Sequence, residues 1–558
     1  MAGGRSGRRR RRPIPAAGRA RREAPAPLFA ESLEADLRSV DPLIVVLFLL
    51  VAVAILVEVA DRVGTPYPVL LVLGGLVLAG VPGLPRIEVE PELILVVFLP
   101  PLLFGAAWAT PLRDLKANLG PIARLSIGLV LFTIVVVAAV AHALVPGLDW
   151  APAFALGAIV SPTDALAATT VFRRVGAPER IVTILEGESL LNDATALVAY
   201  RSAVIATVGG SFVLASAAAG FLVAGVGGLV IGLVVGRAFS EIVRQLENPP
   251  VEVAISLVVP YVAYLPADQL GLSGVLAAVS AGLVAGRYSA TVQTPESRVF
   301  AQGAWGIVVF VLNGFAFILL GMELPAILAD LSSRSPGQLV GLAAAVSGTV
   351  IAARFVWIYV VSFLPGSLRR EIARTDPALA WGSLIVVSWA GLRGVVSLAA
   401  ALALPAGFPE RDLILFLTFA VILVTLVGQG LTLPYVLRRT GLAARDADRA
   451  EETMARGRAN TAGLAEVDRL RPLWPTHQPL LDRLEESLRD RDRHLATEDP
   501  AETEERRRER LEHEEIQRYV IGAQRAAVIE LRDRGQINDE VLRTIERELD
   551  LEQLRMEG

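Results

Sequence analysis

Apolar blocks alternate with short charged or Gly/Pro-rich breaks over residues 42–437, and this alternation is the dominant pattern of the chain. Several blocks are long enough to cross a bilayer as a single helix, which takes about 20 residues. We place about thirteen such helices at residues 42–60, 67–83, 92–109, 119–146, 151–172, 180–208, 212–237, 250–265, 269–286, 300–325, 337–364, 378–404 and 411–437. The pattern therefore predicts an all-α polytopic membrane domain over residues 42–437.

The two ends of the chain are polar. Residues 1–41 include an arginine cluster, and we expect a basic disordered arm without an early apolar core of the kind found in signal peptides. Arginine clusters can bind anionic lipid or nucleic acid, but we expect a solvated arm and no nucleic-acid partner. Residues 438–558 are rich in Arg, Glu, Asp and Leu, with helical periodicity over residues 515–555. This composition predicts a soluble helical tail that is regulatory, dimer-supporting or simply solvated.

Basic residues in the breaks indicate the orientation. The breaks after odd-numbered blocks hold most of the positive charge, for example Arg173, Arg174 and Arg180 after the fifth block. Positively charged loops stay on the cytoplasmic side of a membrane. We therefore expect a multi-pass protein of the cell membrane with its C-terminal tail in the cytoplasm. The arginine-rich arm would then lie outside, which conflicts with its charge, and we give the many loops more weight than the one arm.

Composition excludes several functional classes. Of the 558 residues, 53% are hydrophobic and only 20% are charged, which is too apolar for a soluble protein of this size. Cysteine is absent, so the chain has neither disulfides nor thiolate metal sites. The four histidines are scattered, and no nucleophile lies near a base in the sequence. We therefore expect neither an enzyme nor a bound cofactor.

The most unusual stretch is the polar octet at residues 186–193, which lies between apolar runs of the sixth block. Carboxylates at membrane depth are costly, and they mark an ion or proton pathway unless they are paired for structure. At 3.6 residues per turn, Ser189 and Asp193 share one helix face, while Glu188 and Asn192 share another. One face can therefore line a water-filled site while the other meets a neighbouring helix. For Glu186, a helix end that reaches interfacial water is an equally good explanation.

Two further blocks are interrupted at corresponding positions of the two halves of the membrane part. The fifth block holds Ser-Pro-Thr-Asp at residues 161–164, and the twelfth holds Gly-Leu-Arg-Gly at residues 391–394. Matching interruptions are typical of transporters built from two inverted six-helix repeats, here with the seventh block as a linker. A proline kink capped by Asp164 is the alternative for the first break. Carboxylate, hydroxyl and amide oxygens suit a monovalent cation, and these are supplied by Thr163, Asp164, Ser189, Asn192 and Asp193.

Two arginines lie within apolar blocks. Arg354 must be paired or must open onto water, and Glu188 is the attractive partner because it points away from Asp193. Arg393 lies in the break of the twelfth block, where a fixed positive charge can balance half-helix ends and the acids of a site. For both arginines, snorkelling to the membrane interface is the alternative.

A set of motifs follows in order along the membrane part: Leu99-Pro100-Pro101, Thr163-Asp164, Glu188-Ser189-Leu190-Leu191-Asn192-Asp193, Asn313-Gly314-Phe315, Leu320-Gly321-Met322-Glu323, Arg354 and Gly391-Leu392-Arg393-Gly394. Together they resemble the monovalent cation:proton antiporters of the NhaP and Na+/H+ exchanger type, over essentially the whole membrane part. The Thr-Asp and Glu-Ser-Leu-Leu-Asn-Asp motifs, in this order, are highly specific, and the Pro-Pro and Gly-Arg-Gly elements are weaker.

The resemblance implies roles for individual residues. Asp193 would bind cation and proton in turn, and Asp164, Thr163 and Ser189 would complete the site. Glu188 and Arg354 would form a buried ion pair, and Asn192 would be the neutral residue that marks electroneutral members. The implied fold is a homodimer whose protomers each have a dimerisation domain and a six-helix core with crossed, unwound helices five and twelve. Two departures, Gly105 in place of an acid and Ala165 in place of proline, leave the choice of ion open.

The function expected from the residues and the resemblance is exchange of a monovalent cation for a proton, with roles in pH and sodium homeostasis. Sodium is the first candidate, with potassium and lithium open, and the exchange is expected to be electroneutral. Two alternatives remain at this stage. One is a transporter of organic anions or bile-acid-like solutes with a similar architecture. The other is a membrane sensor that does not transport and uses the tail as its output.

Overall fold

The computed structural model describes residues 3, 42–81, 91–209, 214–246, 248–331, 334–364, 367, 369–370, 377–405, 407–442, 446–495, 504–534, 536 and 539–557. It divides into two compact units, Met1–Ala444 and Arg445–Gly558. The basic arm expected at residues 1–41 lies, apart from Gly3, outside the described residues. The fold class is confirmed, because the described residues form helices and no strand.

The helices of the first unit are numbered here in chain order. They are α1 (Pro42–Val63), α2 (Tyr67–Ala79), α3 (Pro91–Ala109), α4 (Leu112–Ala117), α5 (Leu119–Leu144), α6 (Trp150–Val160), α7 (Ala165–Val175), α8 (Glu179–Gly209), α9 (Leu214–Val243), α10 (Pro249–Gln269), α11 (Gly274–Val292), α12 (Pro295–Asp330), α13 (Pro336–Val361), α14 (Pro377–Trp389), α15 (Val395–Leu402) and α16 (Arg411–Arg439). Two of them contain a π-helical stretch, at Arg124–Leu129 in α5 and at Val424–Gln429 in α16.

Among the described residues, eight spans are long and apolar enough to cross a membrane, and three shorter apolar helices accompany them. Each of the thirteen predicted blocks overlaps at least one described helix. The thirteen membrane crossings stay a prediction, because length and composition identify only eight spans among the described residues. The inverted-repeat relationship stays a prediction as well. The chain is nevertheless a multi-pass membrane protein, and the alternation of apolar blocks with charged breaks is the reason.

The fifth and twelfth blocks are both discontinuous, as their polar interruptions predict. The first break separates α6 from α7 at residues 161–164, and the second separates α14 from α15 at residues 390–394. The two breaks meet, because the Asp164 backbone N–H donates to the Leu392 carbonyl oxygen over 2.8 Å. Backbone groups released from one helix are therefore satisfied by the other, as they must be inside a membrane.

Close backbone contact fixes the position of α12, which carries one wall of the site described below. A Cβ atom on Gly75 of α2 would lie 2.1 Å from the Ile318 carbonyl oxygen, and one on Gly321 would lie 2.1 Å from the Val72 carbonyl oxygen. Small residues let membrane helices approach this closely. Apolar clusters complete the packing, among them one that joins α3 with α9 to α12 and a larger one around the two helix breaks.

The second unit consists of two helical hairpins among its described residues. The first pairs α17 (Asp446–Leu470) with α18 (Gln478–Leu495), and the second pairs α19 (Glu504–Asp533) with α20 (Asp539–Glu557). Arg471 at the first turn binds Asp482 over 2.7 Å and also binds Glu485. The helical periodicity of residues 515–555 falls on α19 and α20. The cytoplasmic location of this unit stays a prediction.

Candidate functional site

A cavity of about 470 Å³ lies beside the two helix breaks. Its inner part is lined by residues of α8 and of the first break, among them Asp164, Ser189 and Asp193. At the other end it reaches Arg173 at the end of α7 and Glu186 near the start of α8, which form a partly exposed ion pair. That end is the predicted cytoplasmic end. The cavity therefore leads from solvent to the acids in the middle of the domain.

Asp193 is the carboxylate of this cavity that lacks a protein partner. It is 5% exposed, and no described residue forms a hydrogen bond or ion pair with its side chain. Burial of a carboxylate without compensation is costly. Because Asp193 lines the cavity, the compensating group must come from there as a proton, a water molecule or a cation. This is the geometry that a reversible cation or proton site requires.

Asp164 lines the cavity, and its side chain is held in a fixed orientation. As the N-cap of α7, its Oδ1 accepts a hydrogen bond from the Leu166 backbone N–H over 2.9 Å. Its Oδ2 lies only 2.0 Å from the position that a Cβ atom on Gly394 would occupy. A residue with a side chain at position 394 would displace this carboxylate. Nearby, the Ala165 backbone N–H donates to Ser189 Oγ over 3.3 Å, which ties α7 to α8.

Thr163 connects the cavity to the polar face of α8 behind it. Its hydroxyl donates to Glu188 Oε1 over 3.0 Å and accepts from Asn192 Nδ2 over 2.7 Å. Asn192 does not line the cavity but also donates to the Thr163 carbonyl oxygen. The structure thus brings Thr163, Asp164, Ser189 and Asp193 to the cavity and places Asn192 one layer behind them.

Glu188 and Arg354 form a buried ion pair between α8 and α13. Both residues are 1% exposed, and the guanidinium contacts the carboxylate with two nitrogens, one of them over 2.9 Å. Arg354 Nε also donates to the Val387 carbonyl oxygen over 3.0 Å. The two-point geometry and the Thr163 hydroxyl provide the extra hydrogen bonds that a buried pair needs. Arg354 therefore does not snorkel to an interface.

Arg393 is equally buried and binds the end of the first half-helix. Its Nη1 donates to the Ser161 carbonyl oxygen over 2.8 Å, and its backbone N–H donates to Thr425 Oγ1 over 3.1 Å. The last carbonyl groups of a helix have no partner within the helix and carry partial negative charge. The Arg393 guanidinium supplies both a hydrogen-bond donor and a positive charge at this helix end. Arg393 therefore stabilises the contact between the two broken helices, and it does not line the cavity.

Sequence reasoning missed the wall that α12 contributes. Gln302, Trp305 and Val309 of this helix line the cavity, together with Asn313, which had been noted only as part of a motif. Their spacing of three or four residues places them on one helix face. This periodicity was available in the sequence, but an apolar helix offers many such faces, and only the packing shows which one meets the site.

Known proteins resemble this chain over most of its length. The profile of the family described as sodium/hydrogen exchanger, transmembrane, matches residues 46–439. An uncharacterised Na+/H+ exchanger of Mycobacterium tuberculosis is 35% identical over 531 residues, which cover 92% of this chain and 96% of that protein. The sodium, potassium, lithium and rubidium/H+ antiporter of Bacillus subtilis is 34% identical over 414 residues, which cover 71% of this chain and 61% of that protein.

A solved structure shares the fold. The sodium proton antiporter MjNhaP1 of Methanocaldococcus jannaschii, determined at pH 8, matches with a TM-score of 0.56 and 18% identity, over 73% of this chain and 99% of that one. At this identity the likeness concerns the fold alone. It agrees with the all-helical membrane unit described above.

Removal of the Arg354 guanidinium should leave the Glu188 carboxylate buried without its cation. We expect Arg354→Ala to lower the free energy of unfolding by about 3–5 kcal/mol, which thermal unfolding of the detergent-solubilised protein would reveal. The matched control is Arg334→Ala, because the Arg334 and Glu410 pair is partly exposed. That substitution should cost about 0–1 kcal/mol. Equal losses in the two variants would show that the buried pair does not stabilise the fold.

Proposed function

This chain belongs to the sodium/hydrogen exchanger family, and from that premise we propose that it exchanges one monovalent cation for one proton across the cell membrane. The observation that carries the proposal is Asp193, a buried carboxylate that faces the cavity and has no partner among the described residues. Sodium is the first candidate cation. The name of the Bacillus subtilis relative, which includes four alkali cations, supports keeping potassium and lithium as further candidates.

Competition for Asp193 would couple the two ions. One carboxylate oxygen pair cannot hold a proton and a bare cation together, so each occupant excludes the other. If the site cannot move from one side of the membrane to the other while it is empty and charged, every such movement carries one cation or one proton. Asp164, Thr163 and Ser189 would complete the oxygen shell of the cation. The acidic lining also argues against organic anions as substrates, because Asp164 and Asp193 would repel them.

The cycle would be electroneutral if the cation-loaded site and the proton-loaded site carry the same charge as they move across the membrane. Asn192 is neutral, whereas a second acid at this position of α8 would add a negative charge. An uncompensated charge would feel about 2.3 kcal/mol per 100 mV of membrane potential, so a neutral exchange would be independent of the potential. Such an exchanger would respond to the two ion gradients alone, which suits a role in pH and sodium homeostasis. The homodimer and the cytoplasmic tail remain part of this proposal.

Closure of the far end of the cavity supports an inward-facing state. An apolar cluster that includes Leu99, Tyr264 and Val275 joins α3, α8, α10 and α11, and Leu99 also lines the cavity. Still nearer the predicted outer end, Arg201 of α8 forms an ion pair with Asp268 of α10. For the site to open outward, this pair must separate. Alternating access would then move α8, with its site residues, against α10.

Substitution of Asp193 by asparagine should abolish exchange, because the amide cannot take up the proton or balance the cation charge. We expect proteoliposomes with Asp193→Asn to lose cation-induced dissipation of an imposed pH gradient, while thermal unfolding stays near that of the wild type. Asp412→Asn, at a half-exposed position outside the cavity lining, is the control and should keep full activity.

The same assay tests electroneutrality when the membrane potential is clamped or left free. The wild type should exchange at equal rates in both conditions. Retained exchange in Asp193→Asn would refute the site, and strong dependence on the potential would refute the one-for-one neutral cycle.

Fixing α8 to α10 at the closed end should stop the cycle. The chain has no cysteine, so Arg201→Cys with Asp268→Cys creates the only thiol pair. A short bifunctional reagent that forms reducible disulfides should block exchange, and a reductant should restore it. The control pair, Glu58→Cys with Arg62→Cys, lies within α1 and should tolerate the same treatment. Full exchange in the cross-linked Arg201 and Asp268 variant would show that this end does not open.

A further inference from the structure

Trp305 lies between the ion cavity and a second, much smaller cavity, both of which Trp108 also lines. It is 3% exposed and contributes to the lining of both. The second cavity has a volume of about 20 Å³, which is room for about one water molecule. Its lining includes Ser240 and Ser256 beside a buried carboxylate, Glu252, which the exchange mechanism does not use.

The indole of Trp305 is fixed on two sides. Its Nε1 donates to Ser256 Oγ over 3.0 Å, and its ring lies 5.1 Å from that of Phe104, centroid to centroid. A Cβ atom on Gly105 would come within 3.1 Å of the ring, so α3 also limits its movement. A tryptophan held by a hydrogen bond and by ring packing makes a rigid wall.

A buried hydrogen-bond network lies one helical turn from Ser256. Glu252, which is 2% exposed, accepts from Ser297 Oγ over 2.9 Å and from Gln293 Nε2 over 3.4 Å. Because Glu252 and Ser256 are four residues apart, they share one face of α10. Glu252 therefore fixes α10 against the start of α12, and Ser256 on the same face receives the Trp305 N–H.

Trp305 and Asp193 lie at similar distances from the starts of their helices. Both α8 and α12 start at the predicted cytoplasmic end, and the rise is 1.5 Å per residue. Trp305 then lies roughly 15 Å along α12, whereas Asp193 lies roughly 21 Å along α8. Both residues line the same cavity, so an ion that moves toward Asp193 moves along the wall that Trp305 helps to form.

We propose that Trp305, positioned by Ser256 and Glu252, sets the width of the ion cavity and so determines affinity and selectivity among alkali cations. This inference rests on the proposed cation and proton exchange. Cation selectivity depends on cavity size and ligand geometry, and a fixed indole controls cavity size. Loss of its anchor would let the wall move and would weaken discrimination between ions of different radius.

The test compares variants that remove the same hydrogen bond from its two ends. Trp305→Phe removes the donor and Ser256→Ala removes the acceptor. A typical buried hydrogen bond corresponds to a change of about threefold to tenfold in an equilibrium constant. In proteoliposomes, both variants should raise the apparent KM for the preferred cation by about that factor and reduce the ratios between Li+, Na+ and K+. The maximal rate should stay within about twofold of the wild type, since Asp193 is untouched.

Two matched controls separate positioning from general loss of packing. Trp357→Phe removes an indole N–H that donates to the Arg124 carbonyl oxygen, away from the cavity. Ser240→Ala removes a buried hydroxyl of the small cavity that donates to the Gly236 carbonyl oxygen. Both controls should keep the wild-type KM and selectivity. Ser256→Thr keeps a hydroxyl and should restore them.

Glu252→Gln tests the role of the buried acid. We expect a raised KM with the same dependence of exchange on pH as the wild type, because Glu252 acts through Ser256 and Trp305. A shifted pH profile would mean that Glu252 itself exchanges protons with the ion path and would overturn the positioning role.

The outcomes distinguish this inference from the proposed function. If the wild type moves no protons in response to any alkali cation, the exchange itself is refuted. If the wild type exchanges normally and Trp305→Phe and Ser256→Ala behave like the Trp357 and Ser240 controls, the role of Trp305 is refuted and the exchange stands.

Discussion

A carboxylate buried in a membrane domain must be paired, hydrogen-bonded or neutralised, and α8 meets this constraint in two different ways. Glu188 is paired with Arg354 and also bound by Thr163. Asp193, five residues further on, faces the cavity without a partner among the described residues. The first arrangement makes a permanent structural contact. The second leaves a carboxylate that must be compensated from the cavity, by a proton, a water molecule or a cation, and the proposed exchange builds on that difference.

The two broken helices provide the frame for this site. Their free backbone groups would be costly in a membrane, but the Asp164 N–H binds the Leu392 carbonyl oxygen, and Arg393 binds the Ser161 carbonyl oxygen. Gly394 lets the backbone of the second break pass directly beside the Asp164 carboxylate. The same contacts that join the two broken helices therefore also place Asp164, the second acid of the proposed site, at the cavity.

Sequence reasoning predicted the apolar blocks, the two breaks and the opposite directions of Glu188 and Asp193, because each depends on local pattern and helical spacing. It could not assign the wall formed by Trp305 and Asn313, since α12 is apolar around much of its surface and its rotation is set by contacts such as Gly75 with Gly321. It also grouped Asn192 with the site, whereas Asn192 lies behind Thr163. The network around Glu252 joins side chains that lie 41 and 45 residues away along the chain, and no local signal connects them.

The most direct test of a shared cation and proton site is proton release on cation binding by the purified protein in weakly buffered detergent solution. If Asp193 binds either ion, addition of the transported cation should release one proton per cation bound in the acidic range, and the apparent Kd should rise about tenfold for each unit of pH lowered. Asp193→Asn should release none. Cation binding of unchanged affinity across pH, without proton release from the wild type, would contradict the account.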